Sequence, residues 1–403
     1  MSESSLVHHR TIFDGWRSLS IALYLSLVGY GVTVGIPVIS TAWSELLGFT
    51  DGQVGRIASA DLGGLSFGSL LAAMLVARMD RRIIVLVAIL VTVAANVLCI
   101  FTGEYEAVLI LRLVAGIGSG LYLGVAIATL GATSWPARAY NIMLFLFAFT
   151  QAGELYALPM LSMNGIYIAF AVSNLLALAF LHWLPPRPLE KGLDVELDVV
   201  DEGGTHHIEH KHVPVWIPWL GLATIAAVYV NIGAYWTYIE MASAGSSADP
   251  DWVSAALIWA SLFTIVACLV ATRISNKFGL ARPMLVTFVI QAVIVGMLAL
   301  GINNINITIS LFAFNFLWVF VDVYLSAYIA NLDHSGRFAA LIPGALGVGQ
   351  IIGPNIAAVQ LDMGLSYASV FIMCAIASLV AMAIFGYMYG QLKRRIPELA
   401  DAS

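Results

Sequence analysis

The hydrophobic positions of this chain form long blocks, and the polar positions form short breaks between them. Apolar runs of about 20 residues, the length at which a helix crosses a bilayer, recur near 19–42, 54–77, 83–101, 106–131, 140–161 and 164–184. Six more follow near 215–242, 252–273, 282–302, 306–331, 338–360 and 365–390. The pattern predicts twelve membrane helices and an all-α membrane protein. Several runs touch across breaks as short as Gly301–Asn306.

The longest polar stretch, 185–214, is rich in Pro, Gly and charge, which predicts a flexible linker. It divides the chain into an N-terminal six-helix bundle at 1–184 and a C-terminal one at 215–403. Such a layout suggests two pseudo-equivalent halves, as in transporters built from repeats. The tract His206–His212 within the linker reads as solvated, and no metal site or cofactor is expected.

Charge tests the helix count independently. With both termini in the cytoplasm, all of the 18 Lys and Arg except Arg56 and Arg112 fall in inside segments. The outside loops carry acids, among them Glu45, Asp51, Glu104, Asp249 and Asp362. This is the positive-inside distribution. The N-terminus is polar and lacks a small-residue cleavage site, so no cleaved signal is expected.

Composition agrees with the pattern. Hydrophobic residues make up 60% of the 403 positions and charged residues only 10%, against about 25% charged in soluble domains. Cys99, Cys268 and Cys374 all lie in apolar runs and read as free thiols. No phosphate loop, nucleophile motif or zinc-protease motif occurs, so an enzyme is not expected. Nothing points to nucleic acid. The expected partners are the lipid bilayer, a small-molecule substrate and protons, with the chain a monomer in a plasma membrane, such as a bacterial inner membrane.

Two loops carry related residues. After the second run comes Leu75–Val87, with Arg78, Asp80, Arg81 and Arg82; after the eighth comes Ala271–Val286, with Asn276, Lys277, Gly279 and Arg282. Both resemble the cytoplasmic loop signature of the major facilitator superfamily, although neither copy is complete. In the fourth run, Arg112 precedes Gly116 and Gly118. That resembles a signature of proton-coupled members of the same superfamily. The resemblance implies its fold, two six-helix bundles around a pathway, and secondary transport by alternating access. It implies a gating role for the two loops. The Gly-Pro run that many drug–proton antiporters carry in helix 5 is absent; Gly353–Pro354 in the eleventh run is the only such pair.

A charge at mid-bilayer costs about 2.5–3.5 kcal/mol on insertion scales, so it needs a partner or a wet cavity. Asp61, Arg112 and Glu154 each lie about 8–12 Å from the outer end of their run at 1.5 Å per residue. Arg112 is therefore expected to pair with Asp61 or Glu154, and the trio to handle protons or an anionic group. Gln151 lies one turn from Glu154. In the tenth run, Asn315, Trp318 and Asp322 share a face and are expected to line a cavity, with Asn231, Tyr235 and Trp236 of the seventh run opposite. Glycines at 64 and 68, at 116, 120 and 124, and at 349 and 353 read as close-packing faces. The sequence favours proton-linked import of an organic or aromatic acid. Proton-driven export of a drug-like or cationic compound is the alternative, and a non-transporting receptor is a third.

Overall fold

The computed structural model describes residues 12–186 and 214–395, apart from 77, 215, 279–280, 333–337 and 339–340. Among the described residues there are twelve α-helices and no strand. The first six are α1 (Trp16–Leu47), α2 (Asp51–Leu75), α3 (Arg81–Ile100), α4 (Tyr105–Gly131), α5 (Pro136–Ala157) and α6 (Met163–Ala179). The last six are α7 (Trp216–Ala244), α8 (Pro250–Phe278), α9 (Ala281–Gly296), α10 (Asn304–Leu332), α11 (Ile342–Asp362) and α12 (Tyr367–Arg395). Each apolar run forms one helix. Eleven are long and apolar enough to cross a membrane; α6 has 17 residues and is followed by a 3-10 turn at Leu181–Trp183. The linker, with its histidine tract, lies outside the described residues.

Some helices outrun their apolar blocks. α8 continues to Phe278, and α12 continues through Lys393, Arg394 and Arg395. Hydropathy loses a helix where polar residues begin, whereas the backbone ladder continues. Cations in the last turn also favour the helix dipole. Helix starts follow capping chemistry. The Thr50 hydroxyl accepts from Gln53 N, and the Gln53 side chain accepts from Thr50 N, a capping box that opens α2. Asp80 accepts from Arg82 N at 2.8 Å and opens α3.

Lipid gives little hydrophobic drive for one helix to join another, so tight pairs need small residues. α2 and α4 meet through interlocking glycines. A Cβ on Gly64 would lie 2.5 Å from the Leu113 carbonyl oxygen, and one on Gly120 would strike the Leu65 carbonyl. α7 and α11 repeat the device, with Gly349 against the Ala226 carbonyl and Gly353 against that of Val230. Elsewhere apolar side chains such as Ile110, Val172, Leu269 and Val293 point outward, as lipid-facing residues should.

The two ends of the bundle differ in charge. One end bears Arg17, Arg78, Arg138 and Lys393–Arg395; the other bears Glu45, Asp51, Glu104, Asp249 and Asp362. The first and last six helices meet through α1 with α7, α2 with α11, and α5 with α8. At the acidic end, Arg56 of α2 pairs with Asp362 of α11. Tyr367 donates to the Asp51 carboxylate at 2.7 Å, and Tyr238 donates to the Asp51 carbonyl at 2.8 Å. The acidic end is thus closed by polar contacts between the two helix groups.

Candidate functional site: a sealed ion pair and an open acid

The membrane-embedded charges fall into two different settings. The first is a sealed ion pair within the first six helices. Arg112 of α4 donates through Nε to Asp61 Oδ2 at 2.7 Å, and its Nη2 stands 2.6 Å from the same oxygen. Its Nη1 donates to Asn96 Oδ1 of α3 at 2.8 Å. Asn96 is held in turn by Thr92, whose carbonyl accepts from Asn96 Nδ2 at 2.8 Å. The Tyr167 ring lies 5.9 Å from the guanidinium. Asp61, Asn96 and Arg112 are all buried. The glycine contact between α2 and α4 explains the reach, because Gly116 packs directly on the Asp61 backbone.

Of the two acids expected near Arg112, the structure brings Asp61 to it. Glu154 goes elsewhere. Its carboxylate lies against α1, 3.1 Å from where a Gly31 Cβ would stand and 2.9 Å from where a Gly35 Cβ would stand. Glu154 Oε2 is enclosed without a hydrogen-bond partner, as are both amide atoms of Gln151. Leu158, just past the end of α5, stands beside Glu154 against Gly35 of α1.

The second setting is Asp322 of α10. Its side chain is exposed, and groups from three other helices lie near it. Tyr229 of α7 donates its hydroxyl to Asp322 Oδ1, and Trp318 Nε1 donates to the Tyr229 hydroxyl at 3.1 Å. Tyr30 of α1 and Cys268 of α8 lie within electrostatic reach of the carboxylate. Tyr30 also meets Phe147 of α5 edge to face, with centroids 5.5 Å apart. Asp322 is therefore exposed at the boundary between the two helix groups. The roof toward the acidic end is Trp236, whose indole N–H donates to the Thr33 carbonyl of α1 at 3.1 Å.

The remaining expected cavity residues divide. Trp318 is half-buried at the same boundary. Trp236 is buried in the roof. Asn231, Tyr235 and Asn315 face into the last six helices instead. Asn231 donates to Ser378 of α12 at 2.8 Å, Tyr235 and Ser310 hydroxyls lie 2.9 Å apart, and Asn315 donates to the Leu311 carbonyl at 3.0 Å. The Tyr235 ring stacks on Phe314 at 4.0 Å.

In the first loop, the basic residues bind their own helix group. Arg81 donates to Thr129 Oγ1 at 3.0 Å and covers the Phe13 ring at 4.6 Å. Arg82 donates to the carbonyls of Leu184 at 2.6 Å and His182 at 2.9 Å. They tie the start of α3 to the ends of α4 and α6. Arg78 and Arg282 are exposed. Gly279 lies outside the described residues, as do the side chains of Asn276 and Lys277.

Four participants were missed from sequence: Tyr30, Tyr229, Asn96 and Thr33. Asn96 carried a usable signal, being a lone amide in an apolar run. Thr33 carried one as well, because Pro37 inside α1 lacks the N–H that would bond the carbonyl four residues earlier. The two tyrosines looked like any aromatic of an apolar helix.

Comparison with known proteins places this architecture. The chain is 22% identical over 397 residues to the "Putative transporter AraJ" of Escherichia coli (strain K12), covering 94% of this chain and 96% of that protein. The crystal structure of the POT family transporter PepTSo superposes with a TM-score of 0.73 at 10% identity, over 94% of this chain and 99% of that one. A variant of the nucleoside transporter NupG superposes with a TM-score of 0.70 at 14% identity, over 92% and 98%. At such identities the two structures speak for the fold alone. The family model of the Major Facilitator Superfamily matches residues 21–354, and the chain belongs to that family: it is a multi-pass membrane transporter, not an enzyme.

Proposed function

We propose that the chain is a secondary transporter of a small organic solute bearing an amine or another cationic group, and that the solute docks at Asp322. The carrying observation is the contrast between the charges. Arg112, the group that would suit an organic acid, is spent on Asp61 and Asn96 and sealed from water. Asp322 is open to the cleft and framed by Tyr229, Trp318 and Tyr30. A carboxylate beside aromatic faces suits an ammonium and a flat apolar body. This reading displaces the import of an organic acid, which the sequence alone favours, in favour of its cationic alternative.

The bundles at 1–184 and 215–403 are the moving halves in this reading, joined by the linker at 185–214. The basic end faces the cytoplasm by the positive-inside distribution, so the cleft opens inward. Protons supply the drive. Glu154, with its unpartnered Oε2 beside Gln151, fits the carrier of a proton. The Asp61–Arg112 pair fits a fixed brace for α2, α3 and α4. The exposed loop residues Arg78 and Arg282 stand where the halves would part at the basic end.

The test is flux in proteoliposomes, with tetraphenylphosphonium and benzoate as probes and an imposed pH gradient. Saturable, gradient-dependent movement of the cation, lost in Asp322→Asn, is expected. Movement of benzoate that depends on Arg112 and survives Asp322→Asn would restore the organic-acid reading. Binding without any flux would favour a receptor.

A further inference from the structure

Pro37 sits inside α1, where a proline supplies no N–H. The carbonyl of Thr33, four residues earlier, is therefore left without its helical donor. A buried carbonyl without a partner is unfavourable, because it gives up its bond to water and gains none. Here the partner comes from the other helix group, as Trp236 of α7 donates its indole N–H across the interface at 3.1 Å. Trp236 and Thr33 are both buried. When α1 and α7 part, water takes over the carbonyl, so the contact has two satisfied states, one dry and one wet.

Trp236 is also joined to the solute site. Its ring meets Trp318 edge to face at 6.0 Å and lies parallel to Phe314 at 6.3 Å. Trp318 donates to the Tyr229 hydroxyl at 3.1 Å, and that hydroxyl donates to Asp322. A continuous series of contacts thus runs from the open carboxylate to the roof. Anything that takes the Asp322 oxygen from Tyr229 frees the hydroxyl, changes the acceptor of Trp318, and alters the edge on which Trp236 rests.

We propose that Trp236 is a positioning residue that couples the state of Asp322 to closure between α1 and α7, with the proline-freed Thr33 carbonyl as its closing contact. The physical element is the two-state hydrogen bond, which the site biases through Trp318. The coupling rests on the reading of Asp322 as the solute acid. The flux assay with Asp322→Asn decides that reading separately, because the test below uses neither solute nor gradient.

The full chain, with Cys99, Cys268 and Cys374 changed to Ala, carries nitroxide labels at Leu46→Cys and Gly245→Cys, and is reconstituted in nanodiscs. Pulsed electron paramagnetic resonance then reads the populations of short and long label distances. Asp322→Ala, which takes the acceptor from the Tyr229 hydroxyl, is expected to shift the closed-to-open ratio. Trp236→Phe, which keeps a ring and removes the N–H, is expected to lower that ratio about two- to tenfold, the worth of one hydrogen bond. Adding Asp322→Ala to Trp236→Phe is expected to change nothing further, a non-additivity that a merely structural role would not produce. Pro37→Ala returns a donor to Thr33 within α1 and is expected to weaken closure in the same direction with Trp236 intact. It carries the test if Trp236→Phe does not fold. An unshifted ratio in Asp322→Ala, additive effects in the double variant, or unchanged closure in Pro37→Ala would each overturn the proposal.

Discussion

Asp61 and Asp322 are both carboxylates deep in apolar helices, and the structure treats them oppositely. Asp61 faces a guanidinium at 2.6–2.7 Å that an amide also binds, and water is excluded. Asp322 accepts from the neutral Tyr229 hydroxyl and its side chain is exposed. The difference teaches that charge in a membrane helix marks two separate jobs. A charge with all its partners inside one helix group fixes packing, and moving it would require breaking a dry ion pair. A charge left with neutral partners at the boundary between groups is, on the function proposed above, available to a ligand.

The largest expected effect tests the sealed side. Arg112→Ala leaves Asp61 enclosed without its counter-charge, and loss of one partner of a buried pair typically removes about 3–5 kcal/mol. A large fall in thermal midpoint or expression is expected. Adding Asp61→Asn to Arg112→Ala should recover part of it, because the orphaned charge is then gone. No recovery in the double variant would mean that Arg112 serves a partner other than Asp61. A stable Arg112→Ala protein that has lost transport would blur the contrast, since the brace would then be functional.

The open side should respond the other way. Asp322→Asn removes a charge that the fold does not need to neutralise. We expect the thermal midpoint to hold, and affinity for a lipophilic cation to fall at least about tenfold, the worth of a charge-assisted hydrogen bond at the low end of its range. Isothermal titration on purified protein reads both the affinity and its loss. A Tm that drops with little change in affinity would place Asp322 among the packing acids.

The architecture was legible in the sequence because each helix announces itself by its own apolar length. All twelve runs became helices, and the glycine faces at 64, 68, 116 and 120 met backbones, as their four-residue spacing implied. The site was legible in its residue types more than in its pairings. Arg112 had two acids at equal depth, and depth along an axis does not say which helix stands beside it. Helix packing decided for Asp61, because the glycine seam brings α2 against α4 while Glu154 faces Gly31 and Gly35. Asn231 and Tyr235 share a helix with Trp236, yet they turn toward α12 and α10 while Trp236 turns toward α1. In a helix that is apolar all round, periodicity supplies no preferred face, so rotation about the axis was not readable.

The seam itself allows an effect of intermediate size. Gly120→Ala would drive a methyl group into the Leu65 carbonyl of α2, and overpacking of this kind typically removes about 1–3 kcal/mol. Because the seam carries Asp61 toward Arg112, the variant should loosen the sealed pair without touching Asp322. Stability should fall while cation affinity stays. Loss of affinity at unchanged stability would mean that the seam moves during transport.

The smallest expected effect concerns the pair Arg56–Asp362, which joins the two groups at the acidic end with side chains 36% and 37% exposed. An ion pair so accessible is worth about 0.2–1 kcal/mol and weakens with salt. In stability it should therefore be nearly silent. It links the halves rather than one bundle, however, so its small energy falls wholly on the equilibrium between closed and open acidic ends. Half a kcal/mol there changes a population ratio about twofold, since 1.4 kcal/mol is tenfold. Arg56→Asp should lower the closed fraction at low salt, and the swapped double variant Arg56→Asp with Asp362→Arg should restore it, with both differences shrinking at high salt. The swap is demanding, because Gly52 makes room for the Asp362 carboxylate and a longer guanidinium must point past it. Label distances at the acidic end that ignore both charge and salt would leave closure to Trp236, Tyr238 and Tyr367, and would show that even a cross-group ion pair can be mere surface when water reaches it.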